Sequence, residues 1–511
     1  MAKRSNSGGS TSTGRKTGGR ASKPARTASQ SRRIASKPGG TGSKPSGTTS
    51  KTGDPASVTR VLGAPVFSQP QPTEDPTVFK IIHPSDADAY KAIDELNKEG
   101  RLQPMPFPTP RGGGAEPVLE LADVFGANSS AATAITNRGQ IVFHATGDCG
   151  STRGPKTQNE VTDKMIGDFA ESDPKEVPQF ALLLGDVVYN FGETEYYYDQ
   201  FYEPYRNYHA PVLAVAGNHD GMVSPLAHAT SLAAYLRNFC ADPSAGFTVT
   251  PEAGGLSRTA QIQPGVFFTF DAPFVRFLLF YSNTLEDPGV IANSTIGQAQ
   301  LVFLRAALQR AKDEKYPGAL IFAHHHPQYA IGGQHSSSVE MRQQMDEVCK
   351  AVGVWPHAVL SGHAHSYQRF TRLRSDGTEI PYVTCGNGGH NVQKLRAPGG
   401  VPLRTPQTLQ KKTAQDDEVT FENYDDVNYG YLRVVVNAQQ LRIEYHPASD
   451  GVGVKSSDDS VTIDLATRKR TTFVPSDLGY PMRAQAVTNA YTMQATARAL
   501  KPPPVSKRPR R

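Results

Sequence analysis

Long apolar runs are missing from this 511-residue chain. None approaches the ~18 to 20 consecutive apolar residues that span a bilayer, so no membrane-spanning helix is expected. Cysteine is scarce: Cys149, Cys240, Cys349 and Cys385 stand far apart, in neither a zinc nor a disulfide spacing, and read as reduced thiols. The opening MAKRSNSGGSTSTGRKTGGR is basic but lacks the apolar stretch of a secretory signal, which makes an intracellular location the expectation. Acidic residues are absent from 1–53, which hold 12 Lys or Arg, and 501–511 add five more basic residues. That leaves 37 basic against 48 acidic residues in 54–500, a net charge of −11 for the body between two basic ends.

What is present divides the chain into four. Residues 1–54 are Gly, Ser, Thr, Pro, Lys and Arg with Ile34 the one large aliphatic beyond Met1, a composition that predicts a disordered tail. Gly and Pro deny it the amphipathic helix of a mitochondrial transit peptide. Its charge suits nucleic acid or another polyanion as partner, and equally a solubilising tail with none. Residues 55–139 form a Pro-rich extension of unclear fold, except that Ser85 can cap a helix bearing Ala89, Tyr90, Ile93 and Leu96 and ending at Gly100. A main domain over 140–470 and a C-terminal extension with a basic tail over 471–511 complete the division.

From Gln140 onward, short apolar runs stop one after another at small or polar residues: QIVFHAT at GDCG, FALLL at GDVVYN, APVLAVA at GNHD, ALIFA at HHHP, HAVLS at GHAH. Such runs read as buried strands. Leu301, Leu304, Leu308 and Ala311 mark one helix, 336–352 another, and FFTFDAPFVRFLLFYS (267–282) a hairpin. GYLRVVVN, QLRIEYH and SVTIDL add antiparallel sheet. The expected fold is α/β, a layered β-sandwich flanked by helices, with the strand ends gathered on one rim where such sheets bind ligands.

That rim would carry Asp148, then Asp186 and Tyr189, then Asn218 and His219, then one histidine of 324–326, then His363 and His365. Carboxylate, phenol, amide oxygen and imidazole, without thiolate, suit Fe, Mn or Zn. These eight exceed the needs of one ion and suit two, about 3.5 to 4 Å apart with a carboxylate between them. Taken singly, each has a plainer explanation: an aspartate caps a helix, and an Asn-containing turn needs no ligand.

In this order, GDCG, GDVVYN, GNHD, AHHHPQY and GHAHSYQR resemble the metallophosphoesterase (calcineurin-like) superfamily, and within it the purple acid phosphatase-like branch, where a tyrosine follows the second aspartate by three residues as Tyr189 follows Asp186. The resemblance covers about 140–465. It implies a first metal on Asp148, Tyr189 and His365, a second on Asn218, His363 and one histidine of the triplet, and Asp186 shared. The family's H-x-P frame selects His325, leaving His324 and His326 as supports, and GGQH makes His335 a substrate-side histidine beside His219. The implied cofactors are Fe3+ with Fe2+, Zn2+ or Mn2+; the implied reaction is hydrolysis of a phosphate monoester by a metal-activated water, with His219 and His335 serving phosphate and leaving group. A phosphodiesterase or nucleotidase on the same site, or a polyanion-binding protein with a degenerate domain, are the other expectations. His144 and His390 read as packing or surface histidines, and Arg369 as structural support.

Overall fold

The computed structural model describes residues 63–68, 91–92, 95, 106–223, 230–255, 258–282, 287–332, 335–396, 400–413 and 416–475. Both basic tails lie outside them, as does the helix expected over 85–100, save that 91, 92 and 95 are helical.

Among the described residues, fifteen strands form two sheets. In chain order they are β1 (Val118–Glu120), β2 (Gln140–Thr146), β3 (Ala181–Leu183), β4 (Val212–Ala214), β5 (Phe268–Ala272), β6 (Val275–Leu279), β7 (Ala319–Ala323), β8 (Ala358–Ser361), β9 (Tyr367–Leu373), β10 (Glu379–Cys385), β11 (Gln407–Gln410), β12 (Glu418–Asp425), β13 (Gly430–Asn437), β14 (Gln440–Pro447) and β15 (Asp459–Asp464). The six-stranded sheet runs β15-β14-β13-β2-β3-β4, and the nine-stranded sheet β1-β5-β6-β7-β8-β10-β9-β12-β11. Strands β2, β3 and β4 are mutually parallel, and so are β6, β7, β8 and β10. β1 pairs with β5, so the sheet takes in residues well before Gln140. The expected hairpin is β5–β6, turning at Pro273 and Phe274.

Strand alternation explains the layering. Ile141, Phe143 and Ala145 of β2 and Ala319, Ile321 and Ala323 of β7 face one shared core between the sheets. Their neighbours Leu320 and Phe322 join a second core with Leu304 and Leu308 of helix Ala299–Asp313 and Met341 and Met345 of helix Val339–Val352. β2 and β7 are therefore buried on both faces, which is why their runs lack polar alternation. The inter-sheet layer is aromatic, with the rings of Phe143 and Phe277 5.1 Å apart and those of Phe180 and Phe270 5.2 Å apart, edge to face. Truncating Phe143 to Ala would cost about 3 to 5 kcal/mol.

Arg369 ties the sheets at their margin. From β9 its Nε and Nη2 donate to the two oxygens of Asp459 on β15, at 2.7 and 3.0 Å. The four cysteines are free and buried. Among the described residues, no helix is long and apolar enough to cross a membrane.

Candidate metal centre

Parallel strands deliver their carboxyl ends to one rim. Asp148 follows β2, Asp186 and Tyr189 follow β3, Asn218 and His219 follow β4, His325 follows β7, and His363 and His365 follow β8. Asp148, Asp186 and His363 each adopt positive φ, 57°, 54° and 66°, a conformation uncommon for residues with a Cβ and concentrated at functional sites. The glycines of the motifs make room for them: a Cβ on Gly185 would sit 2.4 Å from Nδ1 of His325, and one on Gly217 would sit 2.0 Å from Oδ1 of Asp186. Gly-Asp and Gly-Asn-His are thus steric requirements of two loops packed against one another's side chains.

The donors converge. The Tyr189 hydroxyl lies 3.0 Å from Oδ1 of Asp148, 3.0 Å from Oδ2 of Asp186 and 3.4 Å from Nε2 of His365. His365 Nε2 is 3.2 Å from Asp148 Oδ1. On the other side, Nε2 of His325 lies 3.0 Å from Oδ1 of Asn218 and 3.2 Å from Oδ2 of Asp186. Its Nδ1 donates to the carbonyl of Leu184 at 2.7 Å, which fixes the ring and turns Nε2 inward. Asp186, His325 and His363 bring ligand atoms within 4.8 Å of one another. Asp186 stands between the two groups.

This donor set fits a cation. Asp148 and Asp186 are fully buried, yet among the described residues no Lys or Arg pairs with either. Buried carboxylates without a permanent counter-charge are costly, and a metal supplies one. Asn218 points its oxygen into the group while its Nδ2, buried, has no hydrogen-bond partner.

In the protein alone the imidazoles carry the compensation. Burial opposes charge on Asp186, but His325 and His219 outweigh it and hold the carboxyl well below the usual range. Burial likewise opposes charge on His325, and Asp186 and Asp148 outweigh it to raise the imidazole to about 9. Burial, then the two carboxylates, drive the Tyr189 phenol far upward. Burial and four neighbouring imidazoles depress His363.

His219 is oriented by its Nδ1 donating to the Asn190 carbonyl at 2.7 Å, with its Nε2 3.9 Å from Asp186 and its ring 4.3 Å from that of Tyr189. His335 sits nearer the surface, its ring 4.1 Å from that of His363. The histidine triplet does not divide cleanly. His325 reaches the donor cluster, but His326, bonded to Ser282 at 2.8 Å, also lays its ring 4.1 Å from that of His363. Among the described residues, neither nitrogen of His324 finds a hydrogen-bond partner.

Four residues at the site escaped the sequence reading. Asp287 lies 3.3 Å from Nε2 of His363 and 3.7 Å from Nδ1 of His335, and these three form a second group with ligand atoms within 4.8 Å. Asp220 accepts the backbone N–H groups of Val187 at 3.1 Å and Gly217 at 2.9 Å, joining two of the loops. Asn391 accepts from Nδ1 of His365, and Gln393 reaches Nε2 of His335 at 3.1 Å. The last two had a signal: β10 ends at GNGGHN as the other strands end at their motifs. His390 does pack, and what it packs on is Tyr189, ring on ring at 3.6 Å.

Two face-packed sheets with flanking helices thus carry one rim of clustered donors. Residues 141–367 match the family described as calcineurin-like phosphoesterase. The chain is 25% identical over 262 residues to a probable purple acid phosphatase 20 of Arabidopsis thaliana, covering 50% of this chain and 52% of that protein. It is 23% identical over 207 residues to a probable inactive purple acid phosphatase 9 of the same plant, covering 39% and 29%. The matches thus span about half or less of those relatives. A solved purple acid phosphatase from yellow lupin seeds superposes with TM-score 0.42 at 19% identity, covering 64% of this chain and 54% of the other.

Proposed function

We propose that the rim binds two metal ions, one on Asp148, Tyr189 and His365, the other on Asn218, His325 and His363, with Asp186 shared, and that residues 140–470 hydrolyse phosphate monoesters. The observation that carries this reading is the single hydroxyl of Tyr189 placed 3.0 Å from each of two buried carboxylates. Phenolate and carboxylate oxygens suit Fe3+ at the first position, and amide and imidazole donors suit Fe2+, Zn2+ or Mn2+ at the second. Bound cations would supply charge neutralisation for the phosphoryl oxygens and a more acidic water.

The chain's own groups do the rest. The Leu184 carbonyl holds His325 in the tautomer that presents Nε2, and Asn391 does the corresponding work for His365. His219, pinned through Nδ1, keeps Nε2 on the site side, where the imidazolium form can donate to a phosphoryl oxygen. His335, partly exposed and steadied by Gln393, is placed to give a proton to a departing alkoxide.

The test is metal analysis of purified protein together with hydrolysis of p-nitrophenyl phosphate and bis-p-nitrophenyl phosphate. Two ions per chain, with the monoester preferred and activity lost to chelator, is the expected result. Activity indifferent to chelator would overturn the metal reading, and a strong diester preference would overturn the monoesterase. For the basic tails we propose polyanion attachment, supported by the segregation of charge along the chain. Binding of nucleic acid that falls steeply with salt and disappears on deletion of 1–53 and 501–511 is the expected outcome; binding that survives deletion refutes it.

A further inference from the structure

A hollow of about 350 Å3 opens at the opposite end of the six-stranded sheet from Asp148, Asp186 and Asn218. Its wall is built from the segments that enter β3 and β4, at Val177–Gln179 and Ala210–Pro211, together with Phe67, Phe125, Ile166 and Phe169. Arg138, at the end of helix Ser130–Arg138, completes it. The volume and the apolar, aromatic lining with a few polar groups are those of a small-molecule site.

Arg138 is the anomaly. Only 5% of it is exposed, and it is the one permanently charged side chain in the lining. Its Nη1 donates to the Pro174 carbonyl at 3.2 Å, while its Nε, fully buried, has no hydrogen-bond partner. Among the described residues no carboxylate pairs with it. Other buried guanidinium groups are better answered: Arg372 meets Asp346 and Asp417, each at 2.7 Å, Arg276 meets Asp271 at 2.6 Å, and Arg258 donates to the carbonyls of Tyr205, Tyr208 and Ala210 at 3.2, 3.1 and 2.9 Å, against the single carbonyl that Arg138 reaches. A buried cation left without an anion is strongly unfavourable, whereas an arginine with a carboxylate makes strong charge-assisted bonds.

We infer that the hollow binds a small amphipathic monoanion, an aliphatic chain with a carboxylate head, the head on Arg138 and the chain against Phe67, Phe125, Ile166 and Phe169. Among the described residues the lining holds no second Lys or Arg, only the His209 imidazole engaged with Ser68, so one guanidinium matches one negative charge rather than a phosphate dianion. The volume admits roughly twelve groups of water size, at about 30 Å3 each, which matches a carboxylate with its two oxygens on a chain of about ten carbons. The site is separate from the rim and does not rest on the phosphatase reading.

Calorimetric titration of the full chain with decanoate and with decanol, below their aggregation limits, tests this. Decanoate should bind at least tenfold more tightly than decanol, because only the carboxylate satisfies the guanidinium. From hexanoate to decanoate, affinity should rise about three- to fourfold per methylene. Arg138→Gln should abolish the preference for the carboxylate. Should that variant misfold, Ala131→Leu, which narrows the hollow and leaves Arg138 in place, should weaken decanoate at least tenfold. Equal binding of acid and alcohol, decanoate affinity unaltered in Arg138→Gln or Ala131→Leu, or no binding to the wild-type chain would each overturn the inference.

Discussion

The carboxylate of Asp287 lies 3.3 Å from Nε2 of His363, the first histidine of the GHAH turn. A carboxylate on one nitrogen of an imidazole fixes its tautomer and orientation and makes the other nitrogen a better ligand. Asp287→Ala should therefore lower metal affinity by about 10- to 100-fold without removing any of the seven proposed ligands. Metal content after dialysis against graded chelator measures this, with thermal unfolding as the control for folding. Wild-type retention of metal would reduce Asp287 to a loop contact.

The histidine triplet gives a sharper comparison. His325→Ala should remove bound metal, since its Nε2 reaches Asn218 and Asp186. His324→Leu should keep the metal and fall within about 1 kcal/mol of wild-type stability, because two unpartnered buried nitrogens are replaced by carbon. His326→Ala should be intermediate, its ring supporting His363. Metal analysis alongside urea unfolding of all three variants decides the order. Metal loss in His324→Leu equal to that in His325→Ala would defeat the assignment.

The buried strands and their terminal motifs were legible in the sequence because four of the five apolar runs end in glycine beside a ligand-type residue and the fifth ends in histidines, and the glycine punctuation is forced by backbones that touch neighbouring side chains, as at Gly185 and Gly217. Asp287 was illegible for the complementary reason. It reaches His363 from a long connection after β6, with no periodicity or spacing to mark it. β1 was equally hidden: three residues, VLE, gain strand identity only by pairing with β5. That no carboxylate among the described residues meets Arg138 is a fact of three-dimensional packing and has no sequence signature.

Acid should expose a cluster on the outer face of the six-stranded sheet. Glu444 bonds Arg433 at 3.0 Å and Arg442 at 2.6 Å. Burial would raise its carboxyl, but the hydrogen bond with His446 and the two guanidinium groups outweigh it and hold it down at about 2. A carboxyl depressed on folding contributes its stability above its unfolded pKa, about 4.3, and loses it as pH falls through the folded value. Glu444→Gln should thus lower unfolding stability by on the order of 2 kcal/mol at pH 7, with the gap to wild type closing between about pH 4 and pH 2. Urea midpoints of both proteins across that range provide the check; a gap independent of pH would show that shape, not charge, is what Glu444 contributes.

Tyr189 offers the most specific test of the centre. A phenolate bound to Fe3+ gives a visible charge-transfer band that a Zn or Mn pair lacks, so iron-loaded protein should be coloured. Tyr189→Phe removes the one atom that lies between Asp148 and Asp186 while leaving the ring to stack on His390, which sits 3.6 Å away and nearly parallel. The variant should fold, keep part of its metal on the remaining ligands and lose the band. His390→Ala, by contrast, should keep the band, because the stacked ring supports the phenol without replacing its oxygen. Absorption spectra of the three proteins at matched iron content separate the cases. Colourless wild-type protein with oxidised iron bound would remove Tyr189 from the ligand set and leave its hydroxyl as a hydrogen-bond donor to two carboxylates.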